Sequence, residues 1–208
     1  MDKETVQLLE NIKSVAEKYP DRLFDTINSL IRNQYRSKKW LIEKLNQYPH
    51  HFKNRTKDSV DIAVLGGWYG FMADLLHKEF TLKPVREVHS YDYDPMCKKI
   101  GEIFFPAVKF VEKRIEDVEF QSKSYSVVVN TSCEHLEQSV IDGTIARANE
   151  NTLFVLQSNN YIEVDEHINC SISLGEFAER YENKLKNCQT YELNMDKYTR
   201  FMLIGTKQ

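Results

Sequence analysis

The chain has 208 residues, of which 41% are apolar, 12% aromatic and 28% charged, with a net charge of −3. That length and apolar share suffice for a buried core and exclude a disordered or fibrous polypeptide. No apolar run approaches the roughly 20 residues of a membrane span, MDKETVQLLENIK does not read as a signal peptide, and four scattered cysteines without a CxxC pair predict reduced thiols in a cytoplasmic protein.

The first fifty residues read as helices. Val6, Leu8, Leu9, Ile12 and Val15 recur at helical spacing, and Pro20-Asp21 makes a break with Asp21 as the expected N-cap. Leu23, Phe24, Ile27, Leu30 and Ile31 form a second apolar stripe. Trp40, Leu41 and Leu45 form a third, with Ser37 as its expected cap. Residues 49–59 lack an apolar period and read as a linker, so the expected division is a helical N-terminal cap, 1–57, and a main domain, 58–208.

From Val60 the pattern alternates. VDIAVLG, VREVHSYDYD, VKFVE, YSVVVN and NTLFVLQS read as strands, separated by helices at FMADLLHKEF, PMCKKIGEIFF and SVIDGTIARAN. LGEFAERYENKL reads as a further helix. The last stretch, CQTYELNMDKYTRFMLIGTK, reads as two strands with a short link near Met195-Asp196-Lys197, which must therefore be antiparallel. Strands alternating with helices predict an α/β fold with a mostly parallel sheet.

Ligands of such sheets sit at the C-terminal ends of the strands. Four of those ends are polar: Gly66-Gly67-Trp68-Tyr69-Gly70, Tyr91-Asp92-Tyr93-Asp94, Asn130-Thr131-Ser132-Cys133-Glu134-His135, and Gln157-Ser158-Asn159-Asn160-Tyr161. Glycines allow close backbone approach. Asp92 follows the glycines at the spacing of a ribose-binding acid, and Tyr93 offers a ring for stacking on a base. A P-loop is excluded because no lysine follows the glycines, and G-x-G-x-x-G is absent. Trp68 admits two roles: an indole against the cofactor, or a wedge between the strand and its helix.

VLGGWYG, VHSYDYDP, YSVVVNTSCEHL, NTLFVLQSN and YTRFMLIGTK together resemble the motifs of class I S-adenosylmethionine-dependent methyltransferases, over residues 58–208. The resemblance implies a Rossmann-like sheet of seven strands with one antiparallel C-terminal strand, S-adenosyl-L-methionine as cofactor, and methyl transfer to an acceptor. It places Gly66, Gly67 and Gly70 along the methionine half and Asp92 at the ribose, and Trp68, Tyr69 and Tyr93 beside them are further expected cofactor contacts. Arg114 and Ile115 fall beside the adenine, and Asn130 and Ser132 face the sulfonium. Two positions depart from the family pattern: Arg114 stands where an acid is usual, and Trp68 replaces the middle glycine.

On the acceptor side, His135 has the intrinsic pKa of a general base, with Glu134 next; both can equally brace the turn after their strand. Lys38 and Trp40, in the N-terminal helices, and Asn160 and His167, after the fifth strand, are the expected substrate contacts. For Trp40 the alternative is a core anchor. No D/N-P-P-aromatic run follows the fourth strand, which argues against N-methylation of nucleic-acid bases; the Glu134-His135-Leu136 ending resembles that of family members that modify small molecules, and a small or acidic acceptor is expected. Residues 32–57 carry eight basic groups against the single acid Glu43, which keeps open an RNA or protein substrate. A binding or regulatory protein without turnover is the other alternative. No metal is expected: His50-His51 has no nearby partner, and Asp165, Glu166 and His167 lack a ligand spacing.

Overall fold

The computed structural model describes residues 2–52, 58–120 and 122–208. Residues 53–57 of the expected linker lie outside the described residues. Three helices come first: α1 (Lys3–Lys18), α2 (Leu23–Ser29) and α3 (Arg32–Asn46). Then follow β1 (Val60–Leu65), α4 (Phe71–Glu79), β2 (Val85–Asp92), α5 (Pro95–Phe104), β3 (Lys109–Glu112), β4 (Val127–Asn130), α6 (Gln138–Arg147), β5 (Leu153–Asn159), α7 (Leu174–Glu179), β6 (Leu185–Asn194) and β7 (Thr199–Lys207).

The strands form one seven-stranded sheet in the order β3-β2-β1-β4-β5-β7-β6. β1 to β5 pair in parallel. β7 runs antiparallel to both its neighbours, β5 and β6, so it alone is reversed. The expected Rossmann-like sheet, with its antiparallel C-terminal strand, is what forms.

Both faces of the sheet are covered, which is why the parallel strands read as almost continuous apolar runs. Ile62, Val64, Val127, Val129 and Val155 point to the face covered by α3 and α4. Ala63, Leu65, Val128, Phe154 and Leu156 point to the other, against Ile141 and Ile145 of α6 and Phe177 of α7. The first core extends into the N-terminal segment: Trp40, Leu41, Leu45, Tyr48 and Phe52 are all buried in it. Packing therefore crosses the expected boundary at residue 57. α1 and α2 sit elsewhere, with Val15, Tyr19 and Leu23 packed on Tyr69, Cys97 and Ile100.

Three local expectations are corrected. Asp21 does not cap α2; it lies inside a short 3-10 turn, Pro20–Arg22, and Arg22 holds the N-cap position without a side-chain bond. Ser37 is not a cap either. α3 begins at Arg32, and its first turns are exposed and polar, so apolar spacing misses them; Ser37 is buried mid-helix and donates to Gln157 Oε1 at 3.4 Å. α7 ends at Glu179, short of the expected helix, and Leu185 starts β6, where it pairs with Lys207. By contrast, α5 opens with Pro95 at its first turn as expected, capped by Asp94 Oδ1 on Met96 N–H at 2.8 Å.

Candidate functional site

Parallel pairing sets the ends of β1, β2, β4 and β5 side by side: Leu65 is in register with both Tyr91 and Asn130, and Asn130 with Leu156. The polar residues that follow each strand therefore share one edge of the sheet.

After β1 the chain turns through Gly66 at φ +60°, Trp68 at φ +50° and Gly70 at φ +89°. Gly70 needs its left-handed backbone, and a Cβ there would also lie 2.4 Å from Phe110. At Gly66 a Cβ would close to 3.3 Å on Ser132 Oγ, so this glycine keeps open the gap between the β1 and β4 loops. Gly67 answers to packing instead, since its Cβ would fall 2.0 Å from Ser90 Oγ.

Asp92 ties two of the loops together. Oδ2 accepts the N–H of Trp68 at 3.0 Å, and Oδ1 accepts the N–H of Asp94 at 3.1 Å. It is a carboxylate held in place at the strand end, with lone pairs left for another donor. Beside it, Tyr93 is exposed and lies under the Arg114 guanidinium, 5.5 Å from its ring centroid. The Ile115 side chain is buried in the core, which leaves only its backbone to the site. Asn130 is buried and its Oδ1 accepts the N–H of Ser132 at 2.8 Å, so it shapes the β4 turn directly.

The side chains of Trp68 and Tyr69 are turned away from this edge. The indole N–H donates to Asp25 Oδ2 at 3.2 Å, and the Tyr69 hydroxyl donates to the same oxygen at 2.6 Å. Asp25 belongs to α2, so the glycine loop is bolted to the N-terminal helices. Arg22 continues the contact, 2.7 Å from Asp94. The Trp68 backbone thus serves Asp92 and its indole N–H serves α2, while the half-buried ring packs against the cluster of Val15, Tyr69, Cys97 and Ile100. Asp25 carries no local motif, and the two donors that hydrogen-bond to it are over forty residues away.

The second half of the site is a buried polar network at the ends of β4, β5 and β7. Glu134, only 3% exposed, accepts at Oε1 from Asn159 Nδ2 at 2.6 Å and from Arg200 Nη1 at 3.3 Å. Arg200, itself buried, also donates to Thr131 O at 2.7 Å. Glu134 Oε2 is buried and has no hydrogen-bond partner among the described residues. Asn160 uses its Oδ1 on Thr199 N–H at 2.8 Å, holding the β5 end to β7. Lys38 is buried on α3, donates to Gln34, and lies 6.0 Å from the Phe71 ring centroid. Burial foremost, and next the Arg200 charge, lower its pKa to about 7, with the Glu134 charge opposing them. Trp40 is buried among the residues of the first cluster, where it anchors α3.

His135 and His167 lie at the mouth of this network, their rings 4.6 Å apart and nearly perpendicular. The segment carrying His167 is stitched to the Cys133–His135 turn: Asn169 N–H donates to Glu134 O at 2.9 Å, and Arg180 Nη1 donates to Asn169 Oδ1 at 2.7 Å. Sequence spacing missed Arg180 and Arg200, because each reaches its partners only through the fold.

The basic run of α3 disperses. Lys39 pairs with Glu79, Lys44 lies over Tyr191, and Lys38 is buried, which leaves Arg32 and Arg36 exposed. A cavity of about 500 Å³, lined by Tyr48, His51, Asn187, Cys188 and Thr206 among others, is at the opposite end of the sheet, where Thr206 pairs with the first residue of β5. All four cysteines are free thiols. Among the described residues, no helix is long and apolar enough to cross a membrane.

No family model matches the chain, and no curated protein does. Solved structures share the fold. The plantazolicin methyltransferase BpumL in complex with SAH superposes with TM-score 0.65 at 11% identity, over 99% of this chain and 97% of that one. A TehB-like SAM-dependent methyltransferase from Corynebacterium glutamicum gives 0.58 at 14% identity, over 94% and 100%. An rRNA methylase from Streptococcus thermophilus gives 0.51 at 12% identity, over 86% and 98%. With its strand order and reversed β7, the chain has the class I S-adenosylmethionine-dependent methyltransferase fold.

Proposed function

We propose that the protein is an S-adenosylmethionine-dependent methyltransferase acting on a small-molecule acceptor. The observation that carries this is the joining, at one edge of a sheet with this topology, of the β1 glycine loop, Asp92 and a buried polar network around Glu134. The residues present fit the cofactor. Asp92 keeps acceptor capacity for ribose hydroxyls, Gly66 leaves a gap facing Ser132 that a Cβ would narrow, and Tyr93 with Arg114 offers flat surface for a base. When bound, the cofactor supplies an electrophilic methyl group on a sulfonium, so that an acceptor lone pair takes the methyl as the sulfur–carbon bond breaks.

The chain's own residues position and exclude. Asp92 orients the cofactor by a carboxylate already fixed by two backbone donors, which lowers the ordering cost of binding. Glu134, His135 and His167 receive the polar end of the acceptor, and holding that end in line supplies most of the acceleration. An O–H or N–H acceptor sheds its proton toward this group. A small acceptor is favoured over RNA because the basic residues of α3 are paired, buried or dispersed.

The test is thermal-shift binding of S-adenosylmethionine and its demethylated product against NAD, then a labelled-methyl screen of cell extract divided into metabolites, protein and RNA. Stabilisation by the first two ligands and label in the metabolite fraction is expected. A shift with NAD alone refutes the cofactor; label in RNA alone refutes the acceptor class.

A further inference from the structure

We infer that Glu134, His135 and His167 form a binding site for a divalent transition-metal ion. Each offers one ligand atom, and those atoms lie within 4.8 Å of one another. A four-coordinate ion with bonds of about 2.1 Å needs ligand atoms about 3.4 Å apart, so a small inward movement of the side chains completes the set.

Three independent features prepare these groups. Glu134 is held by Asn159 and Arg200 through Oε1, while its buried Oε2 has no partner. An unpaired buried carboxylate oxygen is costly unless something occupies it. His135 Nδ1 is 3.1 Å from the backbone carbonyl of Glu166, and His167 Nδ1 is 2.6 Å from that of Tyr161. A carbonyl only accepts, so Nδ1 carries the proton in both rings and Nε2 keeps its lone pair. Metal-binding histidines are oriented by this same arrangement of a second nitrogen on a carbonyl.

The third feature is the way the two halves are joined. Glu134 and His135 follow β4, whereas His167 comes from the segment after β5, and the Asn169 and Arg180 bonds hold that segment over the β4 turn. Exposure increases from buried Glu134 through half-buried His167 to exposed His135. The ion would therefore be enclosed on the protein side and keep open positions outward.

One carboxylate with two imidazoles suits manganese, iron, cobalt or zinc better than magnesium or calcium, which prefer all-oxygen sets. With an ion bound at the mouth of the acceptor site, the acceptor would meet these three side chains through the ion, by a hydroxyl or carboxylate oxygen, in place of the direct contact proposed above. That role rests on the methyltransferase reading; ion binding itself does not, and the two are measured separately.

The experiment uses the full chain after chelation and dialysis. Co²⁺ is titrated and followed by its visible absorption, with isothermal titration of Mn²⁺ alongside. One equivalent of saturable Co²⁺ is expected, weakened about tenfold or more in His135→Ala and in His167→Ala. Circular dichroism melting confirms that these variants are folded, which matters less for exposed His135 than for Glu134→Gln. Absence of saturable binding by the wild type up to about 1 mM overturns the site. Undiminished binding by the double histidine variant does the same. A thermal shift with S-adenosylhomocysteine in the chelated protein tests the cofactor reading independently, so failure of one inference is not mistaken for failure of the other.

Discussion

Asp92 holds two backbone N–H groups from two different loops, and its removal has two consequences. Hydrogen bonds to a charged group contribute about 1.5–3 kcal/mol. Asp92→Ala is therefore expected to lower unfolding free energy by about that amount and to weaken S-adenosylhomocysteine binding at least about tenfold, seen by denaturant titration and calorimetry. Unchanged affinity would remove the ribose assignment. Lys38 makes a prediction of the opposite kind. Burial lowers it to about 7 from the ordinary 10.5, so between those values the unfolded chain binds a proton that the folded chain has released. Stability from this group therefore rises as pH climbs from about 7 toward 10. In Lys38→Met that rise should flatten, as measured by urea midpoints between pH 6 and 9.5; an unaltered slope would mean that Lys38 keeps its charge in the fold.

Between elements, the informative contact is α2 on the glycine loop. One carboxylate oxygen of Asp25 receives both the Trp68 indole and the Tyr69 hydroxyl, and Arg22 pairs with Asp94 beside it. α1 and α2 thus sit on the loop that the proposed cofactor would touch. Asp25→Ala is expected to cost about 1–3 kcal/mol by leaving the half-buried indole and buried phenol donors without partners. It should also loosen the β1 loop, read as faster amide exchange at residues 66–70 and weaker S-adenosylhomocysteine binding. If exchange is unaffected there, the contact is local bracing only. The loop's glycines were legible in VLGGWYG, but the direction of Trp68 was not. Trp68 has a positive φ, 50°, with its N–H on Asp92, and nothing in the local sequence encodes a bond across 24 residues.

For the whole molecule, the sequence pattern divides the chain near residue 57 and the core does not. Leu41 and Leu45 are fully buried against the sheet with Trp40, Tyr48 and Phe52. Deletion of residues 1–57 is therefore expected to unfold the sheet as well as abolish activity, since each large buried side chain lost costs about 2–5 kcal/mol and domain stability is only about 5–15. A truncated chain that melts cooperatively near the wild-type temperature would restore the idea of a separable cap. The basic residues of α3 illustrate the same point: Lys39 becomes half of an ion pair, Lys44 a cation over a ring and Lys38 a buried lysine once α3 is docked, while Arg32 and Arg36 stay exposed.

Periodicity alone determined the strands and most helices, because a buried parallel strand and an amphipathic helix each write their burial into neighbouring residues. The short link near Met195 determined that the last two strands oppose each other, because it leaves no room for a crossover; that the final strand is the reversed one came from the resemblance. Motif resemblance reached the fold family and the cofactor it implies. Tertiary structure alone decided the rest. It brought His167 to His135 and Glu134, gave Glu134 its Arg200 and Asn159 partners, and turned Trp68 to Asp25. Those contacts join side chains far apart in sequence, and their hydrogen-bond geometry exists only after the sheet has set the strand ends side by side.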